Sequence, residues 1–465
     1  MNIKLHNTLT GRLEEFKPIK SGEVGMYHCG PTVYDYAHIG NLRSYIFADI
    51  LRRTFEYLDF EVRQVINITD IGHLTSDADT GDDKMVKGLK RDGLPLTLDG
   101  LRQLTDKYEK VFKDDLDTLN VRKPLHFPRA TDYLKQEIDL IRQLEEKGYT
   151  YKIQDGIYFD TGKLTDYGKL GGLTPLSEGS ARLKTDGKKS DRDFVLWKLS
   201  KDGHLGFESP WGMGFPGWHI ECSAMSRELL AQPFDIHTGG MDHIPVHHNN
   251  EIAQSEAAYD TPLANFWLHN EFITVTEGKM AKSLGNQITL NTLIEKGFSP
   301  LAYRYFLLMA HYRTPVNFSW EALEAAQNAY RKLKEAVSTW QIDMKNISRL
   351  DLDNSYAEEF KEAIENDLNT PEALAVVWKL VKDESVSPAD KRTTLLDFDK
   401  VLGLNLENNE FEVKNIPKEV EQLLKDRESA RVIGNYSKSD QLREQIKNLG
   451  FIVEDTISGQ KISKS

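Results

Sequence analysis

Val24-Gly25-Met26-Tyr27-His28-Cys29-Gly30-Pro31-Thr32-Val33-Tyr34-Asp35-Tyr36-Ala37-His38-Ile39-Gly40-Asn41 holds the first half of a βαβ unit. An apolar run opens it and a Gly-Pro loop ends that run. A long amphipathic segment follows, with Leu42, Tyr45, Ile46 and Ile50 on one helical face. Val65-Ile66-Asn67-Ile68 is short and β-branched, the pattern of a buried parallel strand, so the unit runs from Val24 to about Thr69.

The same texture returns downstream. Phe234-Asp235-Ile236-His237 leads into Gly239-Gly240, a helix through Ala253 to Ala258, and Phe272-Ile273-Thr274-Val275, which is expected to complete the sheet. Between Leu116 and Ser200 short apolar runs alternate with turns such as Gly171-Gly172-Leu173-Thr174-Pro175, which reads as an insertion. After Trp320 the pattern is helical, with Leu323, Ala326, Tyr330, Leu333, Val337 and Trp340 at helix spacing. Asn369-Thr370-Pro371-Glu372 reads as a further helix start, with Thr370 at the N-cap and Pro371 in the first turn. Beyond Asn405 a Glu/Asn-rich linker leads to a small helix-turn-strand module ending near Gly459.

Composition narrows the function. A chain of 465 residues has room for about three domains at ~150 residues each. With 39% hydrophobic and 28% charged residues it is an ordered protein and not a disordered one. No run approaches the roughly 18 apolar residues that span a bilayer, and the start lacks a signal-type apolar core; a cytoplasmic location and no membrane partner are therefore expected. The net charge of -13 argues against indiscriminate nucleic-acid binding, while clusters such as Lys84 to Arg91 leave room for a local basic face. Two cysteines, Cys29 and Cys222, make no disulfide framework and read as free or metal-bound.

Three constellations carry chemistry. His38 and Gly40 stand at a helix start, where unpaired amides and the helix dipole favour phosphate and His38 donates to an oxygen. Lys279-Met280-Ala281-Lys282-Ser283-Leu284-Gly285-Asn286 follows a strand and sets two lysines where they reach one anion as charge develops. Taken singly, these are an ordinary turn and a solvated basic loop. The third is Gly217-Trp218-His219-Ile220-Glu221-Cys222 with His247-His248-Asn249-Asn250-Glu251. His247 and Glu251, four apart, share a helix face, and Cys29 and Cys222 bring two thiolates from loops near the sheet. Two sulfurs, a nitrogen and an oxygen suit zinc. The alternative makes the cysteines small buried apolar residues, and His248 competes with His247 on spacing alone.

In this order, on either side of an insertion, the first two constellations resemble the HIGH and KMSKS signatures of class I aminoacyl-tRNA synthetases. Asn41 replaces the second His and Ala281 the first Ser. GWHIECSAM and HHNNEIAQSE look like strings of the cysteinyl-tRNA synthetases, and Leu423 to Arg431, Ser439 to Arg443 and Gly450 to Thr456 look like that family's anticodon-recognition module. The resemblance implies an α/β fold: a Rossmann-like parallel-sheet catalytic domain in two halves, 1–115 and 201–275, around a connective insertion at 116–200. A KMSKS-loop and stem-contact region at 276–319, an α-helical bundle at 320–405 that binds tRNA, and a small mixed anticodon domain at 406–465 follow.

It further implies one zinc ion per chain on Cys29, Cys222, His247 and Glu251, ATP with Mg2+ as substrate, and L-cysteine and tRNA(Cys) as partners of a monomer. His38, Lys279 and Lys282 are the implied catalytic residues. Thr32, His38, Gly40, Asn41, Lys282 and Ser283 are implied to bind ATP, and Gly30, Thr32, Trp218, His237 and Asp242 to bind cysteine. Trp218 as plain core and Asp242 as a helix cap stay open. The chemical purpose of the metal is selection: an apolar pocket separates near-isosteres by only about 10- to 200-fold. A zinc ion that takes the substrate thiolate rejects serine, whose hydroxyl ionises far less readily than a thiol of pKa about 8.5. One rival, the cysteine ligase of mycothiol synthesis, shares the catalytic motifs but acylates a sugar amine; a second, a catalytically silent paralogue, is expected to have lost part of the His38, Lys282 and ligand set, all of which is present.

Overall fold

The computed structural model describes residues 3–72, 84–171, 187–200, 206–275, 287–340, 354–407, 417–432, 434–456 and 459–464. The chain divides into two compact units, Met1–Asn405 and Leu406–Ser465. The first opens with an antiparallel hairpin, β1 (Lys4–Asn7) and β2 (Arg12–Glu15), then β3 (Glu23–His28), α1 (Ile39–Tyr57) and β4 (Glu61–Ile66). Leu42, Tyr45, Ile46 and Ile50 of α1 are buried, as their spacing predicts.

Helices α2 (Lys84–Asp92), α3 (Leu98–Thr118) and α4 (Leu134–Glu146) lead to β5 (Thr150–Ile153), β6 (Gly156–Phe159), β7 (Phe194–Leu199) and β8 (Gly214–Pro216). These four strands form one antiparallel sheet in chain order, a small layer beside the main sheet's connection. After α5 (Trp218–Leu230), β9 (Phe234–Gly240), α6 (Asn249–Tyr259) and β10 (Ala264–Asn270) complete the main sheet, whose order is β10-β9-β3-β4 with every pair parallel. Residues 125–130 extend its β4 edge, with Leu125 N–H donating to the Gln64 carbonyl at 2.9 Å and isolated bridges at Val65–His126 and Ile68–Arg129.

One expectation is corrected here. The last sheet strand is β10, and the run at 272–275 instead supplies β11 (Ile273–Val275), paired with a later strand. It is followed by α7 (Leu290–Glu295), α8 (Pro300–Leu308) and that partner, β12 (Val316–Phe318). The reason is that β10, ANFWLHN, buries polar Asn270 and His269 beside Trp267, so neither a continuous apolar run nor clean alternation marks it.

The helical part comprises α9 (Trp320–Thr339), α10 (Asn354–Glu365), α11 (Thr370–Lys382) and α12 (Pro388–Leu402). A second correction falls at α11: Asn369, not Thr370, is the N-cap, its side chain accepting from Glu372 N–H at 3.3 Å. Asn and Thr both serve as caps, and Pro371 suits the first turn beside either. In the second unit α13 (Lys418–Val432) and α14 (Tyr436–Asn448) precede the antiparallel pair β13 (Phe451–Thr456) and β14 (Gly459–Lys464), one helix and one strand more than the helix-turn-strand expected. No described helix is long and apolar enough to cross a membrane.

Helix α1 is pinned at both ends. At its start Tyr303 donates to the Ile39 carbonyl at 2.7 Å, and Arg43 donates to the carbonyls of Phe272, Tyr312 and Thr314 at 2.7, 3.0 and 2.7 Å. Further along, the buried Asp49 carboxylate accepts from Arg53 Nε at 2.7 Å, Arg304 at 2.6 Å and Arg122 N–H at 2.8 Å. Burial opposes its charge, yet the two guanidinium groups hold its carboxyl below the usual range. Arg304 also donates to the Leu402 and Leu119 carbonyls, fastening α1 to α8 and to the end of α12. Removing one partner of such a cluster strands a buried charge, so Asp49→Ala is expected to cost about 3–5 kcal/mol in chemical denaturation. A loss below about 1 kcal/mol, the range of an exposed ion pair, would contradict this role.

Candidate active site

The pairing of β3 with β9, Tyr27 opposite His237, brings the chain that leaves each strand to one crevice at the sheet's carboxyl edge. Cys29 and Gly30 follow β3 there. Gly30 N–H donates to Asn67 Oδ1 at 2.8 Å, and a Cβ on Gly30 would stand 1.5 Å from the Asn67 carbonyl oxygen, so no larger residue fits. Thr32 bridges to Thr69, which extends the β3–β4 pairing past the strand ends.

His38 is the N-cap of α1. Its Nδ1 accepts from Asn41 N–H at 3.1 Å, while Asn41 Oδ1 accepts from His38 N–H at 3.2 Å, a reciprocal capping box. In the neutral ring this puts the proton on Nε2, and it gives the Asn41 departure a local purpose: its amide oxygen caps the His38 backbone N–H, while the ring itself is held by the Asn41 backbone N–H. Gly40 lies in the first turn. Lys279, Lys282 and Ser283 lie outside the described residues; just downstream of that stretch, Ile39 N–H donates to the Ile288 carbonyl at 2.9 Å and Thr289 bridges to His38.

After β9 the chain passes Asp242, which is exposed, and enters a π-helical turn, Ile244–His248, that runs straight into α6. That turn sets both His247 and His248 inward, where each is buried. Gly239 makes room: a Cβ there would stand 2.3 Å from His243 Nδ1 and 2.8 Å from the His248 ring. Cys222 sits within α5 and not on a loop, correcting the expectation. Its helix buries His219, Glu221, Ser223 and Ser226 as well as apolar residues, so it shows no clear apolar stripe to a reader of the sequence.

Ligand atoms of Cys29, Cys222, His247 and Glu251 all lie within 4.8 Å of one another, and all four residues are buried. A second set shares Cys29 and Glu251 with His237 and His248. His237 Nε2 donates to Glu251 Oε2 at 2.9 Å. His247 Nε2 lies 2.9 Å from Glu251 Oε1, yet among the described residues neither atom finds a hydrogen-bond partner in good alignment. Two buried lone-pair donors facing one point, with two sulfurs beside them, fit a bound cation, and the S2NO set fits zinc. The far nitrogen of His247, Nδ1, is 2.9 Å from His219 Nδ1, an outer contact that fixes the ring. Trp218 packs on His247 with ring centroids 4.3 Å apart.

The buried groups also shift one another's titration, and His247 and Cys29 must each give up a proton before either can hold a metal. Burial disfavours charge on His247, but Glu251 and Cys222 outweigh it and carry the ring up to about 10. Burial likewise opposes ionisation of Glu251, while His237 and His247 bring it down to about 2. The hydrogen bond from Cys29, with burial opposing and His247 assisting, lowers Cys222 to about 6. Burial, then Cys222, pushes Cys29 up. Burial drives His248 and His269 well below the imidazole range, so both are neutral. Sequence reasoning gave no role to His219, His243 and His269, which share no common sequence signal.

Residues 15–328 match the family described as the tRNA synthetases class I (C) catalytic domain, residues 414–462 the cysteinyl-tRNA ligase anticodon binding domain, and residues 359–385 the DALR domain. The chain is 45% identical over 467 residues to cysteine–tRNA ligase 1 of Burkholderia lata, covering 99% of this chain and 97% of that one. It is 41% identical over 488 residues to the cysteine–tRNA ligase of Treponema denticola, covering 98% of each. In fold it is similar to the methionyl-tRNA synthetase of Mycobacterium tuberculosis in complex with methionyl-adenylate, with a TM-score of 0.57 at 16% identity over 83% of this chain and 90% of that one.

The two histidines are separable by experiment. His247→Ala is expected to remove stoichiometric zinc, read by elemental analysis, whereas His248→Ala, which removes an outer contact, weakens zinc by about 10- to 100-fold. The reverse order of effects would transfer the ligand role to His248.

Proposed function

The chain belongs to the cysteine–tRNA ligase family of class I aminoacyl-tRNA synthetases, and from that membership we propose that it activates L-cysteine as the adenylate and selects it through zinc held by Cys29, Cys222, His247 and Glu251. The observation that carries this reading is the buried S2NO set with its two misaligned donors, His247 Nε2 and Glu251 Oε1. When bound, zinc supplies a Lewis acid that takes the substrate sulfur as a thiolate, so serine and alanine are refused without editing.

The remaining work belongs to the chain. Trp218, His237 and Asp242 shape the cysteine pocket, with Gly30 and Thr32 at its floor. ATP enters with Mg2+ and lies against Gly40 and the start of α1, where unpaired amides favour its phosphates. The cysteine carboxylate attacks the α-phosphate in line; the bond to pyrophosphate breaks and pyrophosphate leaves. His38, with its proton on Nε2, and Lys282, with Lys279 and Ser283 nearby in sequence, offset charge on the phosphates as it develops. The tRNA ribose then takes the cysteinyl group from AMP. Residues 320–405 and 406–465 select tRNA(Cys), supported by the anticodon-domain match over 414–462, which a sugar-acylating ligase would have no use for.

Cysteine-dependent exchange between ATP and pyrophosphate, followed by charging of tRNA(Cys), tests the reading. Exchange without charging would favour the sugar-amine ligase, and neither would favour a silent paralogue. Cys222→Ser is expected to lose zinc and most exchange; full retention of both would remove that residue from the metal site. Lys282→Ala is expected to slow adenylate formation by about 10²–10³-fold, with a smaller change in cysteine affinity. An unchanged pre-steady-state rate would sink the role given to that loop.

A further inference from the structure

The buried histidines include a chain of contacts that leads away from the metal ligands to the N-terminal hairpin. His248 Nε2 is 3.3 Å from Cys29 Sγ, His248 Nδ1 is 2.8 Å from His269 Nε2, and His269 Nδ1 is 2.8 Å from Thr8 Oγ1. Thr8 lies in the turn between β1 and β2, and it is held there: its N–H donates to the Trp267 carbonyl at 2.8 Å. Beside it Asn7 Oδ1 accepts from Trp267 N–H at 3.1 Å and Asn7 Nδ2 donates to the Asn265 carbonyl at 3.0 Å, so the turn is stitched to β10, the strand that carries His269.

We propose that Thr8 is a positioning residue of the metal centre, acting through His269 and His248 on the Cys29 sulfur. The inference rests on the zinc reading above. Each neutral imidazole has one N–H and one lone pair, so the three contacts must all point the same way. When Cys29 is a metal-bound thiolate it only accepts. His248 Nε2–H then donates to sulfur, His248 Nδ1 accepts from His269 Nε2–H, and His269 Nδ1 accepts from the Thr8 hydroxyl. Thr8 is the outer donor that completes this direction. Without it, His269 Nδ1 is a buried acceptor with no donor, so this direction loses its outer partner and the two rings are held less firmly on the sulfur. The reversed direction gives no relief, because it would turn the His248 Nε2 lone pair toward the thiolate and leave His269 Nδ1–H without an acceptor.

The test uses the full chain, stripped of metal by chelation, as wild type, Thr8→Val and Thr8→Ser. Valine keeps the shape and removes the hydroxyl, and serine restores the hydroxyl. Zinc affinity is measured by competition with a chelator, and the sulfur-to-metal charge-transfer band is recorded on the cobalt-loaded protein. Thr8→Val is expected to weaken zinc by about 10-fold and to shift the band, in line with the effect of outer contacts on metal sites. Thr8→Ser is expected to restore both. Thr8→Val indistinguishable from wild type, or Thr8→Ser as altered as Thr8→Val, would overturn the proposal. A wild-type chain that takes up neither metal would overturn the metal centre and the relay with it, whereas normal wild-type binding with an inert Thr8→Val removes the relay alone.

Discussion

The parallel contact between β3 and β9 is the constraint on which the rest of the molecule depends. β3 continues to β4 on one side and β9 continues to β10 on the other, so the chain leaves the two central strands in opposite directions. Such a switch point leaves a crevice at the carboxyl ends of the strands, where ligands of open α/β sheets bind. Here the crevice receives Cys29 from β3 and the π-helical turn after β9. α5 lays Cys222 against them from the preceding connection. The start of α1, with the His38–Asn41 capping box, faces the same edge, so the amino-acid and phosphate sites proposed above share one rim.

That crevice is chemically expensive to fill. A buried carboxylate, two thiols and several imidazoles lie shielded from solvent, and an unpaired buried polar atom costs on the order of 1–3 kcal/mol. Much of the cluster is satisfied internally: His237 with Glu251, His247 with His219, His248 with Cys29 and His269. Among the buried atoms left without an aligned partner are His247 Nε2 and Glu251 Oε1, which face each other within the S2NO set. A cation there would convert a costly part of the interior into the proposed recognition site, with the surrounding histidines holding its ligands. The attachment of α1 through Asp49, Arg304 and Arg43 fixes the helix whose start is the phosphate site proposed above.

The parts of this arrangement visible in the sequence are those where chemistry and period coincide. β3 and α1 declare themselves by an apolar run, a Gly-Pro break and a 3.6-residue stripe, and the four-residue spacing of His247 and Glu251 survives the π-turn because that turn continues into α6. The concealed parts are those where burial is polar. β10 hides because His269 and Asn270 are buried polar residues, and α5 hides because its buried face carries His219, Glu221 and two serines. In both, the side chains that erase the hydrophobic pattern are partners of the site or its neighbours. The relay to Thr8 has no sequence signal at all, since its members are 8, 248 and 269 along the chain and meet only where the β1–β2 turn, the π-helical turn and β10 come together.

X-ray absorption at the zinc edge, on the purified chain with and without L-cysteine, addresses the central claim most directly. The account predicts zinc with two sulfur neighbours in the free protein and a third sulfur when cysteine, but not serine, is present. Zinc whose sulfur count is unchanged by cysteine would contradict selection through the thiolate.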